Sequence, residues 1–329
     1  TSYVTTTAPY FLLIGARDGD VSNLQGFRTY DRAYPQGMAV RKNKIVGWVH
    51  SANHNYFNTI WTPTAALGSP NPWAGSVDDN PFTPSIITAA EQRQIGLSTI
   101  AAFFRQHLQN INGYREVLTG RMRPASMRND VMFWTFQDAQ RKALDNFEQL
   151  PSNAALNTLG GAVTGIGFTT FAERLLNNGS TDYTGPLPPS DSVFYHDTLG
   201  LRLGWGAGQT YTTLLPVGQR DVSAFSHLSF RAAKRPAVAG SGADMNMLVN
   251  IKDGAGHTAL WDLPSSQFDR IPHPYNSGFG VQAQLVGVRI PLRNFTQNNS
   301  QVDLTDIVEV TIKTQGADEA GIDDIEFGL

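Results

Sequence analysis

Cysteine is absent from the 329 residues, which removes disulfide frameworks, thiolate nucleophiles and cysteine-based zinc sites together. Charge is scarce as well. Asp, Glu, Lys and Arg make up 16% of the chain, against roughly a quarter in an ordinary soluble domain. The 25 basic and 28 acidic residues leave a net charge of −3, so the clustered positive field of a nucleic-acid-binding surface is missing. No apolar run approaches the about 18 residues needed to cross a bilayer, so no transmembrane segment is expected. The opening residues Thr1-Ser2-Tyr3-Val4 show neither the basic start nor the apolar stretch of a secretory leader. Weak charge with abundant Asn, Thr, Ser and Gly favours an exported, extracellular protein whose leader has been removed.

What is present suffices for a sizeable core. The hydrophobic fraction is 41%, with 18 Phe, 10 Tyr and 6 Trp, which excludes a disordered chain. The length suggests two domains. Pro9 to Gly15 is an apolar run bounded by Pro and Gly, expected to be a strand buried on both faces. Lys44 to His50 reads as a second buried strand and Leu24 to Ala39 as partly helical. Residues 62–87 carry five prolines and read as a long loop of the lid or binding type. Thr88-Ala-Ala-Glu91 is a capping-box signature. It opens a helix on which Leu97, Ile100, Phe104, Leu108 and Ile111 recur every three or four residues, one helical face.

Strand, turn, helix, strand, loop and helix in that order predict an α/β layer with a parallel sheet over residues 1–120. Gly120 to Pro124 opens a candidate linker over 121–140. Beyond it, 141–329 carries short alternating strands such as Val308 to Lys313, separated by Gly, Pro, Asn and Asp turns, the pattern of an antiparallel β-sandwich. The fold class expected is therefore α/β followed by all-β.

In an open α/β sheet the functional groups sit beyond the carboxyl ends of the strands. One such loop carries Asp18 and Asp20, the other His54. An acid after one strand and a histidine after the next is what a Ser–His–Asp relay needs: the carboxylate sets the imidazole tautomer and the imidazole takes the nucleophile's proton. Asp18 is the preferred acid and Asp20 the alternative. Tyr56, Phe57 and Trp61 could wall an acyl pocket, although buried aromatics more often serve packing. Asn53, Asn55 and Asn58 read as loop-shaping residues, His50 as packed and His107 as exposed.

Gly15-Ala-Arg-Asp18-Gly-Asp20-Val21, then Ser51-Ala-Asn-His54-Asn-Tyr-Phe57, then the helix from Thr88 to Leu108 resemble the last third of an α/β-hydrolase, closest to the dienelactone-hydrolase, chlorophyllase and polyester-hydrolase branch. Ser51 stands where that pattern has glycine, and Tyr56 where it has phenylalanine. The resemblance implies an ester hydrolase with Asp18 as acid and His54 as base, and no required cofactor. It also implies a serine in a G-x-S-x-G elbow upstream of Asp18, and only 17 residues precede Asp18. Ala239-Gly-Ser241-Gly-Ala243 imitates the elbow in the wrong order and setting. An amino-terminal Thr1 nucleophile has nothing else in its favour. The expectation is that the nucleophile and the remaining strands come from a missing N-terminal segment or companion chain, because a two-strand remnant would leave backbone groups and apolar faces bare.

Asp145-Asn-Phe-Glu148, Asp221 to Phe230 and Ile322 to Phe327 resemble the galactose-binding-like jelly rolls of carbohydrate-binding modules. That resemblance implies a structural calcium, with Asp145, Glu148, Asp323 and Asp324 as candidate ligands, and a glycan partner contacted by aromatics among Trp205, Tyr211, Trp261, Tyr275 and Phe279. Turn and edge-strand roles are the plainer account of the acids. His196, His227, His257 and His273 show no metal-ligand spacing. The alternative to an esterase is a non-catalytic carbohydrate-binding or adhesion protein on a hydrolase-derived scaffold.

Overall fold

The computed structural model describes residues 7–18, 24–33, 41–60, 87–177, 187–206, 208–235, 244–263, 269–276 and 281–329. The chain divides into two compact units, the first comprising Thr1–Ala139, Gly240–Ala243 and His273–Gln282, and the second the remainder.

The first unit contains β1 (Tyr10–Gly15), α1 (Gly26–Arg32), β2 (Lys44–Val49), α2 (Ala89–Leu108), α3 (Arg115–Leu118) and β3 (Met132–Gln137). Its sheet has the order β1-β2-β3, with β1 parallel and β3 antiparallel to β2. Side chains alternate between two faces with the period of two that a strand imposes. Leu12 and Ile14 lie against Gly26 of α1, and Trp48 meets Phe27 edge-on with centroids 6.0 Å apart. On the opposite face Leu13 and Val49 pack with Ile95 of α2, while Ile45 and Phe136 pack with Ala102. The sheet is thus sandwiched between helices.

Two expectations change here. Residues 121–140 are not a linker, because β3 pairs with the whole of β2, from Lys44–Gln137 to Val49–Met132. Its run Met132-Phe-Trp-Thr-Phe is apolar enough to belong to the sheet core. β1 is not buried on both faces: among the described residues it ends the sheet, and its first five residues are only half-buried. The regular apolar stripe of α2 faces away from the core. Leu97, Ile100, Phe104 and Leu108 are 65, 45, 50 and 74% exposed, while Gln92, Ile95, Gly96, Thr99 and Ala102 are buried. The exposed stripe is on the β1 side of α2: Phe103, between stripe and core, stacks on Phe11 of β1 at 5.4 Å, whereas Ala102 on the other flank meets β2 and β3.

The second unit contains β4 (Arg141–Asp145), β5 (Val163–Ile166), β6 (Thr170–Leu175), β7 (Leu199–Trp205), β8 (Thr210–Leu214), β9 (His227–Lys234), β10 (Met247–Asp253) and β11 (Thr258–Asp262). The pair β12 (Tyr275–Asn276) and β13 (Val281–Gln282) belongs to the first unit. The second unit ends with β14 (Val286–Pro291), α4 (Leu292–Asn298), β15 (Ile307–Thr314) and β16 (Asp318–Gly328). One sheet has the order β11-β10-β15-β8-β5. The other has β14-β9-β16-β7-β6, with β4 on β16, and the strand pairs in both sheets are antiparallel. Tyr211 of the first sheet lies 6.3 Å from Phe171 of the second, so the two inner faces share a core. The second unit is an antiparallel β-sandwich.

Candidate functional site

β1 and β2 run parallel, so their carboxyl ends emerge side by side. The chain leaving β1 is sewn to the loop leaving β2: Ala16 donates to the carbonyl of Val49 at 2.9 Å and Arg17 to that of Ala52 at 2.8 Å. This crossing requires glycine at position 15, where a Cβ would stand 2.6 Å from the oxygen of Ala52. The close approach brings Asp18 beneath His54. Asp18 Oδ2 accepts the main-chain N–H of His54 at 2.9 Å and lies 2.5 Å from its ring Nδ1. An oxygen that accepts the amide faces the ring as an acceptor too, so Nδ1 carries the hydrogen and Nε2 is left as the basic nitrogen. Asp18 is buried, and the His54 side chain is 31% exposed. The pair can hold and deliver a proton at Nε2.

The loop is fixed from its other side by α2. Thr88 caps the helix, its hydroxyl accepting the amide of Glu91 while Glu91 accepts that of Thr88 at 2.8 Å. These bonds hold the Glu91 carboxyl below its usual range, and Arg128 adds an ion pair at 3.1 Å. Sequence reasoning passed over Gln92, a fully buried glutamine that bonds to the main chain of Asn53. Its signal was a polar side chain beside Ile95 and Thr99 on the face that packs inward.

The remaining expected site residues divide. Phe57 packs into the core of the unit, against Gly96, where an added Cβ would stand 3.1 Å from its ring. Tyr56 is half-buried. Asp20, Trp61, the 62–86 part of the proline-rich loop, Ser241 and Thr1 lie outside the described residues. Asn53 Oδ1 accepts the amide of Tyr56 at 2.9 Å and Asn58 Oδ1 that of Ile60 at 3.0 Å, shaping the loop. His50 is buried edge-on to Trp48. His107 is not exposed: it sits 4.8 Å from the ring of Phe103, and burial lowers its pKa.

In the sandwich the four candidate calcium ligands do not form one oxygen cage, and they do not fit the ion. Asp323 pairs directly with Arg231 across β16 and β9. A bulge at Asp324, whose φ is 49°, turns its carboxylate to the same guanidinium at 3.0 Å. Arg231, buried between them, already neutralises both. Glu148 accepts the amide of Leu199 at 3.1 Å and lies 2.7 Å from the hydroxyl of Thr198. Asp145 instead faces Tyr211 at 3.4 Å and the amide of Phe147 at 3.2 Å. A calcium ion takes six or more oxygens and would have to displace a guanidinium here. Among the described residues no group of three His, Asp or Glu is placed to hold a metal.

Trp205 and Tyr211 are core residues and Trp261 is half-buried. The side chain of Tyr275 and all of Phe279 lie outside the described set. His196 Nε2 accepts the amide of Leu285, and His227 lies beside Ser226 Oγ at 2.9 Å, both structural roles. His257 has a carboxylate partner of its own, Asp253 Oδ2 at 2.9 Å from Nδ1. That pair closes the β10–β11 turn, with Asp253 also accepting the amides of His257 and Asp303.

No family model matches the chain, and no curated protein sequence matches it. Solved structures similar to it include the family 11 carbohydrate-binding module of the cellulosomal cellulase Lic26A-Cel5E of Clostridium thermocellum. That match is 13% identical with a TM-score of 0.33, covering 57% of this chain and 94% of that one. The family 30 carbohydrate-binding module of the C. thermocellum cellulase Cel9D-Cel44B is 14% identical with a TM-score of 0.31, covering 51 and 90%. An exo-β-agarase is 14% identical with a TM-score of 0.32, covering 56% of this chain and 24% of that one. At this level of likeness the description of the second unit rests on its own strands. Among the described residues no helix is long and apolar enough to cross a membrane.

Proposed function

We propose that the first unit carries the acid and base of a serine-hydrolase relay, Asp18 orienting His54, and that the protein acts on an ester outside the cell. The observation that carries this reading is the double contact of one Asp18 oxygen with His54, at the adjoining carboxyl ends of two parallel strands. In such a relay the buried carboxylate holds Nδ1–H and stabilises the imidazolium formed when Nε2 takes the proton of a serine. The serine, and the amides that would stabilise the oxyanion, belong in this proposal to a polypeptide segment that continues the sheet beside β1. The half-exposed apolar residues of β1 and the exposed stripe of α2 on the same flank support that occupant, a strand followed or preceded by an apolar helix face.

The test is fluorophosphonate labelling of the native material, with intact-mass analysis of every polypeptide that copurifies. A serine adduct on a companion segment, abolished by His54→Ala, is the expected result. Absence of labelling, or labelling that persists in His54→Ala at the original rate, overturns the relay.

A second reading, glycan binding without catalysis, has its own observation on the sandwich. The outer face of the five-stranded sheet carries a cross-strand row Thr164, Thr212, Thr311, Asn250 and Leu260, in which Thr311 is buried, with exposed Leu214 and Ile166 beside it. Hydroxyls and an amide among aliphatics suit a sugar surface, which offers both polar edges and C–H faces. Retardation in gels containing soluble polysaccharide, lost in Leu260→Asp with Ile166→Asp, would establish it. Mobility unchanged across a panel of glucans and galactans would reject it.

A further inference from the structure

We propose that Gln92 is the positioning residue of the Asp18–His54 pair, acting through the peptide groups of Asn53. The catalytic consequence rests on the relay reading above, whereas the positioning itself is a property of this chain alone. Gln92 is fully buried on α2, 39 residues from its partner. Its carbonyl oxygen accepts the main-chain N–H of Asn53 at 3.3 Å, and its amide nitrogen donates to the carbonyl of the same residue. One side-chain amide therefore satisfies both main-chain groups of Asn53, as a neighbouring strand would.

The geometry explains why this matters one residue further on. Fixing the N–H and the C=O of Asn53 fixes the orientation of the peptide unit that joins it to His54. The nitrogen of that same unit is the His54 amide donating to Asp18 Oδ2 at 2.9 Å. The ring contact at 2.5 Å depends on the same main-chain placement. A rotation of the 53–54 peptide would withdraw both bonds from the carboxylate together. Gln92 itself is held in place by its main-chain N–H donating to the carbonyl of Thr88 at 2.9 Å and by the capping box at the start of α2. Ile87, just before the cap, donates to the carbonyl of Ser51. The start of α2 is thereby hydrogen-bonded to the histidine loop at Ser51 through Ile87 and at Asn53, the residue next to His54, through Gln92. A glutamine with no electrostatic partner, buried among Ile95, Thr99 and Gly96, would otherwise carry a desolvation cost with nothing to offset it.

The experiment is proton NMR of the intact chain with labelled histidine, reading the downfield resonance of the His54 Nδ1 hydrogen bonded to Asp18. The unmodified chain is expected to show that resonance, and Asp18→Asn to lose it. Gln92→Met keeps the length and removes both amide bonds, and the prediction is loss of the His54 resonance at unchanged circular dichroism and an unchanged unfolding transition of the sandwich. A resonance of unchanged position and solvent exchange in folded Gln92→Met overturns the proposal. Should Gln92→Met not fold, Gln92→Glu decides, because its carboxylate accepts from Asn53 N–H but offers no hydrogen to the carbonyl. The expected outcome is a resonance broadened by exchange, and an unaltered one again overturns the proposal. Absence of the resonance from the unmodified folded chain would instead remove the Asp18–His54 pairing, and with it the relay reading on which the consequence depends.

Discussion

One oxygen of Asp18 holds His54 twice, by the main-chain amide at 2.9 Å and by the ring Nδ1 at 2.5 Å. Two bonds from a single residue to a buried acceptor fix both where the ring is attached and how it is turned. Asp18→Asn keeps the shape but presents either a carbonyl oxygen or an amide nitrogen, so the tautomer is no longer enforced. If the proposed relay operates, ester turnover is expected to fall by about 10³–10⁴-fold in kcat with KM little changed, as steady-state kinetics would show.

Gly15→Ala tests the crossing that brings the two loops together. The added Cβ would meet the oxygen and carbon of Ala52 at 2.6 and 2.8 Å and the nitrogen of Asn53 at 3.0 Å. Those are main-chain atoms and cannot swing aside. A loss of about 1–3 kcal/mol is expected in urea unfolding followed by the fluorescence of Trp48.

Burial pushes the Asp145 carboxyl up to about 7, with Glu173 adding to the rise. Between its unfolded value near 4 and about 7 the folded state holds the extra proton, so stability falls as pH rises through that window and levels off above it. Asp145→Asn is expected to flatten the fall and to raise stability at pH 8 by on the order of 2 kcal/mol relative to the unmodified chain. Unfolding curves of the two proteins from pH 4 to 8 give the difference directly. Asp253, held down to about 2 by the amides of Asp303 and His257 and the His257 ring despite its burial, behaves oppositely. Its contribution is present above pH 4 and is lost as pH falls through 2.

Arg231 is buried between Asp323 and Asp324. Removing it in Arg231→Met leaves Asp323 uncompensated in the sandwich core, and a loss of about 3–5 kcal/mol is expected. The double variant Arg231→Met with Asp323→Asn should recover part of that loss, an interaction that a double-mutant cycle on denaturant midpoints would measure.

The apolar stripe of α2 predicts how the chain behaves in solution at high concentration. Leu97→Gln with Phe104→Gln should leave stability within about 0.5 kcal/mol, because both side chains already face water. Self-association at high concentration, read by sedimentation velocity, should decrease.

Much of the first unit was legible because its signals are local. The capping box Thr88–Glu91, the apolar run ending at Gly15 and the spacing of Asp18 and His54 each depend on a few neighbouring residues or on two strand ends. The exposed stripe of α2 was not legible. Periodicity shows which residues share a helical face but not which face a sheet covers, and here the covered face is that of Ile95, Thr99 and Ala102, not that of Leu97 and Phe104. β3 hid in an expected linker because its pairing with β2 spans about ninety residues of chain.

Composition and pattern by themselves determined that the chain has an α/β part and an all-β part, that thiol chemistry is excluded, and which acid and histidine stand at strand ends. Tertiary structure alone decided that one oxygen of Asp18 serves His54 twice, that Gln92 bonds to the main chain of Asn53, and that Arg231 pairs with both Asp323 and Asp324. The reason is the same in each case. A hydrogen bond or an ion pair forms between groups within about 3 Å, and that proximity is created when distant segments pack, not by their order along the chain.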